Sequence, residues 1–321
     1  MHQGKFFHQK IFWTKIKLLF PRQLLAMLAL SVAILLLVMG FNWQFFSPAQ
    51  LSTKPTSTPK SEQQSQSLWQ QIYDLSFTGD NIFPQHCGSL SQTNWVAFLD
   101  TTAQKLIYYD NTHKRFELVA LPPTSPAQAL AVDNLAIFVY TDAVYRYDLR
   151  QKNWQRLTDD LLSLPVSGLH TFGGNLYLTG QGIFKRLNFN AAGKYENWTS
   201  WLAPEQEEKF SPQGIYISDY VYAAWQNKLY RLARGQPINW QLASSPELPG
   251  KLLITGQKEQ LAIVCPQTAT IMIANTKGEL IWQQTHPLLS HASCLYFDEQ
   301  LQNYVVVSEG KLYQLTATFP E

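Results

Sequence analysis

A short strand-like segment of apolar and aromatic residues recurs six times in this chain of 321 residues. The first residues of successive copies lie 38, 39, 46, 42 and 41 positions apart. Their β-branched and aromatic residues favour strands over helices. The copies are Leu106–Asp110, Val144–Asp148, Ile183–Leu187, Leu229–Leu232, Ile271–Ala274 and Leu312–Leu315. A nearly constant spacing of strands constrains the fold more than any other feature of this chain.

A period of about 40 to 50 residues is typical of four-stranded blades arranged around an axis. Each repeat is expected to supply an inner strand, a second strand, the recurring segment and an outer strand. The region from Leu68 to Glu321 has room for six such units. We predict an all-β fold, a six-bladed β-propeller, in this region. Outer strands are predicted at Phe116–Leu121, Trp154–Leu157, Trp198–Leu202, Trp240–Ala243 and Leu280–Thr285.

The last repeat lacks an outer strand of its own. Only six residues follow Leu315, which is too few for a turn and another strand. An isolated segment, Leu68–Leu75, precedes the first repeat and contains Trp69, Ile72 and Leu75. We expect this segment to pair with Leu312–Leu315, because closing the ring covers an edge that would otherwise promote aggregation.

The N-terminal part of the chain has a different composition. Residues 24–41 form a run of 18 residues without a charge, and Trp43, Phe45 and Phe46 can extend it into the membrane interface. Five basic residues and no acidic residue precede this run. The sequence therefore predicts a basic cytoplasmic segment (1–23), a single transmembrane helix (24–46), and a propeller outside the cytoplasm (68–321). A cleaved signal peptide ending near Ser47-Pro-Ala49 is the alternative.

Residues 47–67 are rich in Ser, Thr, Pro, Gln and Lys and have almost no apolar side chains to bury. Such a composition is typical of a flexible linker. A linker of about twenty residues has a root-mean-square reach of about 25 Å, which suits a tether between a membrane helix and a folded domain.

Two stretches resemble known propeller families. Thr276–Trp282, which follows the strand Ile271–Ala274, resembles the turn and outer strand of quinoprotein-like repeats. Val144–Asp148 leading to Trp154, and Gly173-Gly174 before Leu176–Leu178, are similar to kelch repeats. Each resemblance covers one or two blades, and it implies the propeller fold but no activity.

Charge and motifs restrict the classes of function. From Leu68 onward, 18 Lys and Arg residues face 22 Asp and Glu residues, a formal charge of −4. Nucleic-acid binding is therefore not expected, because its basic surface is missing. The sequence has no Gly-rich phosphate loop, no Gly-x-Ser-x-Gly elbow, no His-Glu-x-x-His motif and no zinc-type cysteine spacing. We assign no catalytic, metal-binding or cofactor-binding residue, and expect no cofactor.

Polar residues predicted near the blade ends are candidates for the channel mouth. They are His86, His170, Asp219, His286 and His291. Side chains from several blades can converge there on a metal or an acid–base site. The alternative is that these residues only form hydrogen bonds in loops.

The chain contains three cysteines, and an oxidising compartment would permit a disulfide. Cys87 opens the first blade and Cys294 lies in the inner strand of the last, so ring closure would make them neighbours. A bridge between them is one interpretation; three buried thiols, including Cys265, are the other.

Three functions fit these features. The first is a membrane-anchored binding or scaffold module for a protein or a cell-envelope polymer. The second is an extracytoplasmic enzyme, a hydrolase, a lyase or a quinoprotein-like oxidoreductase, which needs polar side chains such as His170, His291 and Asp219 to converge. The third is a structural subunit of an envelope complex, bound through its membrane segment.

Overall fold

The computed structural model describes residues 68–75, 82–90, 95–110, 112–133, 136–158, 165–207, 209–243 and 248–316. All of them belong to one compact unit, residues 64–321. The predicted cytoplasmic segment, transmembrane helix and linker lie outside the described residues. Within the part of the chain that is described, no helix is both long and apolar enough to cross a bilayer.

The described residues form six antiparallel sheets of four strands each, and each sheet is one blade. In blades 1 to 5 the strands follow chain order from the inner to the outer edge. Blade 1 contains β2 (His86–Leu90), β3 (Trp95–Asp100), β4 (Lys105–Asp110) and β5 (Arg115–Val119); blade 2 contains β6 (Ala129–Asp133), β7 (Ala136–Tyr140), β8 (Val144–Asp148) and β9 (Asn153–Arg156); blade 3 contains β10 (Val166–Phe172), β11 (Asn175–Gly180), β12 (Ile183–Phe189) and β13 (Tyr195–Ser200).

The second half of the ring repeats the same order. Blade 4 contains β14 (Gly214–Ile217), β15 (Val221–Trp225), β16 (Lys228–Ala233) and β17 (Gln236–Pro237); blade 5 contains β18 (Leu253–Gln257), β19 (Gln260–Cys265), β20 (Thr270–Asn275) and β21 (Leu280–Thr285); blade 6 contains β22 (Ala292–Asp298), β23 (Asn303–Ser308), β24 (Lys311–Leu315) and, as its outer strand, β1 (Trp69–Asp74). Short helices occur at Pro204–Glu207 (α1), Pro266–Thr268 and Pro287–His291.

The structure confirms the prediction of a six-bladed β-propeller. Each of the six recurring segments lies in the third strand of a blade. The second strand of each blade is buried over nearly its whole length, and β7 completely, because neighbouring blades cover both faces of each sheet. Outer strands such as β9 are mostly exposed. Six apolar clusters form the core, one between each pair of neighbouring blades.

The predicted outer strand of blade 4, Trp240–Ala243, was wrong. Gln236–Pro237 pairs with β16 instead. The Trp240 side chain is buried between blades 4 and 5, and its indole N–H donates a hydrogen bond to the Thr276 carbonyl at 2.9 Å. This segment therefore packs against the next blade rather than extending its own sheet.

The N-terminal strand closes the ring, as predicted. β1 is antiparallel to β24, with Trp69 opposite Leu315, and the Leu75 N–H donates to the Gly310 carbonyl at 2.8 Å. Trp69 is buried in the cluster between blades 5 and 6, whereas Leu75 is buried between blades 6 and 1 and Ile72 packs against that second cluster. A single strand thus contributes to both cores that flank the junction of the two chain ends.

A disulfide joins the two blades at this junction. Cys87 of β2 and Cys294 of β22 have Cα atoms 6.0 Å apart, and their sulfur atoms are bonded. Cys265 is a buried free thiol in β19. The bridge links residues separated by 207 positions, so it connects the first and last blades covalently.

Candidate binding channel

The six inner strands, β2, β6, β10, β14, β18 and β22, surround a central channel with a volume of about 860 Å³. The four antiparallel strands of a blade return the chain to the face from which the blade began. All six inner strands therefore run in the same direction along the channel. We call the end where they begin the start face, which includes His86 and Lys251. The opposite end, which includes Lys258 and Glu299, is the end face. Both ends contribute residues to the channel lining.

Two glycines leave room for aromatic rings that lie against the inner strands. A Cβ atom on Gly168 would stand 2.8 Å from Nε2 of His170 and equally close to Oγ1 of Thr179. A Cβ atom on Gly256 would stand 2.7 Å from the ring of Tyr216. Such distances are shorter than real Cβ contacts, so any larger residue at these two positions would displace the neighbouring ring.

His86 and His170 both line the channel. His86 is the first residue of β2, and the His170 ring folds back along β10 towards Gly168 and the start face. Nε2 of His170 lies 3.4 Å from Oγ1 of Thr179. The structure therefore brings these two predicted residues into the same part of the channel.

Burial lowers the pKa of both imidazoles. For His86, burial together with the positive charges of Lys251 and His170 lowers the pKa to about 4, although a hydrogen bond to the Gln128 backbone acts in the opposite direction. For His170, burial alone lowers the pKa to about 4. Both rings are consequently uncharged at neutral pH and can donate or accept hydrogen bonds.

Lys251 completes this group. It precedes β18 on the start face and lines the channel. Its side chain is accessible from the lumen, yet the surrounding protein still lowers its pKa through loss of hydration. Among the described residues no carboxylate lies within ion-pair distance of Lys251.

Charged residues are unevenly distributed along the channel. Glu299 is the one carboxylate in the described lining, and it follows β22 on the end face, where Lys258 follows β18. The start-face half instead contains His86, His170 and Lys251. The two halves of the channel therefore differ in charge, because the positive charge of Lys258 is balanced by Glu299 on its own face, whereas the start face has Lys251 and two uncharged imidazoles.

The other three predicted channel-mouth residues are not in the lining. Asp219 lies in the turn between β14 and β15. His286 precedes the short helix Pro287–His291, where its Nδ1 accepts a hydrogen bond from the Leu288 N–H at 3.3 Å. Nε2 of His291 lies 3.8 Å from Glu309 at the protein surface. These three residues do not meet His86 and His170.

Sequence reasoning missed the neutral polar residues on the start face. Gln85, Gln128 and Gln213 each precede an inner strand directly, and all three line the channel. The signal was present as a glutamine at the same position of blades 1, 2 and 4, but it becomes visible only after the inner strands are aligned. Among the described residues no group of three or more His, Cys, Asp or Glu side chains is placed to hold a metal ion.

Comparisons with known proteins identify the fold. No protein-family model matches this chain, and no curated protein matches it in sequence. Regucalcin from Agrobacterium tumefaciens strain C58, described as a calcium-binding protein, superposes with a TM-score of 0.56 at 15% identity, covering 74% of this chain and 91% of its own. Virginiamycin B lyase from Staphylococcus aureus superposes with a TM-score of 0.51 at 15% identity, and the match covers 72% of this chain and 79% of the lyase.

The β-propeller domain of Cps50 (Swd1) from Myceliophteria thermophila gives a TM-score of 0.53 at 9% identity, covering 78% of this chain and all of that domain. One of these proteins is described as calcium-binding and another as a lyase, and one architecture can serve unrelated functions. At such low identity the similarity concerns the fold alone, and by that fold this chain is a β-propeller.

Proposed function

We propose that this chain is a membrane-anchored extracytoplasmic binding module, whose propeller holds a protein or cell-envelope ligand through its central channel. The observation that carries this proposal is the open channel of about 860 Å³ along the axis. Ligand sites in proteins commonly have volumes of about 300–1,000 Å³. Six blades with separate apolar cores form a rigid frame, so the lining residues are positioned before a ligand arrives.

The proposed location rests on the N-terminal sequence and on the disulfide. The uncharged run at residues 24–41, with basic residues before it, supports an anchor with a cytoplasmic N-terminus. The bridge between Cys87 and Cys294 supports an oxidising compartment for the propeller, because disulfides persist there and are rare in the cytosol.

The arrangement of titratable groups favours binding over catalysis. General acid–base catalysis usually requires a proton donor and a proton acceptor within reach of one reacting atom. Glu299 is at the end face, whereas His86 begins its strand at the start face. His170 is already close to Thr179. The lining instead offers many hydrogen-bonding groups without an evident acid–base pair.

An enzyme is the second candidate, because two uncharged imidazoles share one part of the channel. An imidazole that is neutral at pH 7 can accept a proton from a substrate. If the channel catalyses a hydrolase, lyase or oxidoreductase reaction, the His170→Gln variant will retain the ligand but lose turnover. Equal turnover by the wild type and this variant would contradict a catalytic role for His170.

The binding proposal can be tested by blocking the channel. Ser167 lines the channel, and a Ser167→Trp substitution would fill part of it. Gln155 is exposed on the outer strand β9, so Gln155→Trp adds the same side chain outside the channel. The full chain, purified from gently solubilised membranes, is analysed by mass spectrometry for bound protein and glycan.

We expect the wild type and Gln155→Trp to retain the same bound material and Ser167→Trp to lose it. Retention of this material by all three proteins would exclude the channel as its site. An assembly that forms equally well without residues 68–321 would instead identify the chain as a structural subunit held by its membrane segment.

A further inference from the structure

We infer that the start-face half of the channel binds an anionic oxygen group, a carboxylate or a phosphate ester, between Lys251, His86 and His170. This inference rests on the proposed function, since it names the chemical class of the ligand that the channel takes. It assigns the positive charge to Lys251 and hydrogen-bond donation to the neutral ring of His170, while His86, whose ring N–H donates to the Gln128 backbone, lines the same part of the channel.

The three side chains reach the channel from alternate blades. His86 belongs to blade 1, His170 to blade 3, and Lys251 leads into blade 5. In a closed ring of six blades, alternate blades are spaced by about a third of a turn. Three groups placed in this way can surround one small ligand group on the axis, whereas groups from adjacent blades would contact it from one side.

The start-face half of the channel carries one uncompensated positive charge, that of Lys251. This charge disfavours a proton on His86 and helps to keep that imidazole neutral. The carboxylate of the described lining, Glu299, belongs to the opposite face, together with Lys258. A partly dehydrated ammonium without a carboxylate partner among the described residues is costly unless an anion joins it, and such groups are typical of functional sites. An anion would pair with the Lys251 ammonium and would accept hydrogen bonds from it and from the His170 ring.

Neutral hydrogen-bonding groups surround the basic residues. Gln85, Gln128 and Gln213 line the channel at positions directly before their inner strands. The Gln85 amide already bonds to Thr101 and to the Phe83 carbonyl, whereas the amides of Gln128 and Gln213 can bind the uncharged polar part of a ligand, such as sugar hydroxyls, without adding charge. The channel volume leaves space for a ligand larger than a bare ion. A small organic anion, or the anionic end group of a polymer, fits this lining.

The test uses the full chain in detergent micelles and measures its thermal unfolding with three probes at matched ionic strength. D-glucuronate carries a carboxylate, inorganic phosphate carries the other anionic group, and D-glucose is the neutral counterpart of glucuronate. We expect at least one anion to raise Tm by about 5 °C at roughly 100 times its Kd, and glucose to have no effect. Which anion acts distinguishes a carboxylate ligand from a phosphate ligand.

Variants of the two channel lysines make the test specific. Lys251→Gln should abolish the rise in Tm, Lys251→Arg should retain it, and Lys258→Gln, at the opposite face, serves as the matched control and should also retain it. The inference is overturned if neither anion raises Tm, if glucose acts as strongly as glucuronate, or if the rise persists in Lys251→Gln.

The same variants separate this inference from the proposed function. If Lys251→Gln still retains the membrane-derived material that Ser167→Trp loses, the channel is a binding site but not for an anion. If anions raise Tm through Lys251 while Ser167→Trp retains that material, the anion site exists and the proposed channel-binding function fails.

Discussion

Removing the disulfide between Cys87 and Cys294 is expected to cause a large loss of stability. The bridge connects the inner strands of the first and last blades across 207 positions of sequence. A cross-link stabilises a fold mainly by restricting the unfolded chain, and the restriction grows with the length of the closed loop. Substituting both cysteines by alanine opens the covalent loop that this bridge closes.

The magnitude follows from the loop length. The chain-entropy relation gives about 5 kcal/mol for a loop of this size, and measured values for native disulfides are about 2–5 kcal/mol. We therefore expect the double variant to lose about 4 kcal/mol of unfolding free energy. With a denaturant dependence of about 4 kcal/mol per M in guanidinium chloride, the midpoint should fall by about 1 M.

The assay is guanidinium unfolding of a fragment that begins at Ser67. Tryptophan fluorescence monitors the unfolding, with and without reductant. Reductant should lower the midpoint of the wild type by about as much as the double substitution does, and it should not affect the double variant. Cys265→Ala is the control, because Cys265 is a free thiol and its loss should leave the sensitivity to reductant intact. A wild type whose midpoint does not respond to reductant would refute this reasoning.

Three further predictions concern ring closure, pH and the channel. Leu75→Ala should lower the unfolding free energy by about 3 kcal/mol, because the side chain is fully buried between blades 6 and 1. Gln70→Ala, on the exposed side of β1, should change it by less than about 0.5 kcal/mol. Equal losses in the two variants would contradict a stabilising closure. Burial keeps His170 uncharged with a pKa of about 4, while the unfolded chain takes up a proton near pH 6.5, so stability should fall as the pH decreases from 6.5 towards 5. His170 should contribute about 1–2 kcal/mol to this fall, and His170→Gln should reduce the slope of unfolding free energy against pH; an unchanged slope would disprove it. Gly168→Ala should displace the His170 ring and weaken anion binding measured by the rise in Tm, and an unaltered rise would show that the ring position does not matter.

The architecture could be predicted from the sequence because it follows from local patterns. Strands are recognised by β-branched and aromatic residues, and a period of about 40 residues is the length of chain that one blade requires. The missing outer strand after Leu315, together with the isolated segment around Trp69, indicates ring closure from the sequence alone. Where a local pattern was ambiguous, as at Trp240, the prediction failed because the packing of a neighbouring blade decided the outcome.

The channel could be predicted only in part, because its lining depends on distances between blades that are far apart in sequence. Histidines near blade ends were visible as candidates, yet nothing local distinguished His86 and His170 from His286 and His291. His86 and His170 line the channel, whereas His286 and His291 belong to a short helix outside it, and only the folded structure shows this difference. Lys251 carried no recognisable motif, and its significance comes from the channel that it shares with the two imidazoles and from its effect on the pKa of His86.

The sequence by itself determined the repeat, the number of blades and the strand that joins the two ends of the ring, since hydrophobic periodicity and strand length are local properties of the chain. The tertiary structure alone decided which polar side chains share the channel and which of its lysines lacks a carboxylate on its own face. That choice arises when residues from blades 1, 3 and 5 are brought to one axis, where burial lowers the pKa of each and the Lys251 charge lowers that of His86 further.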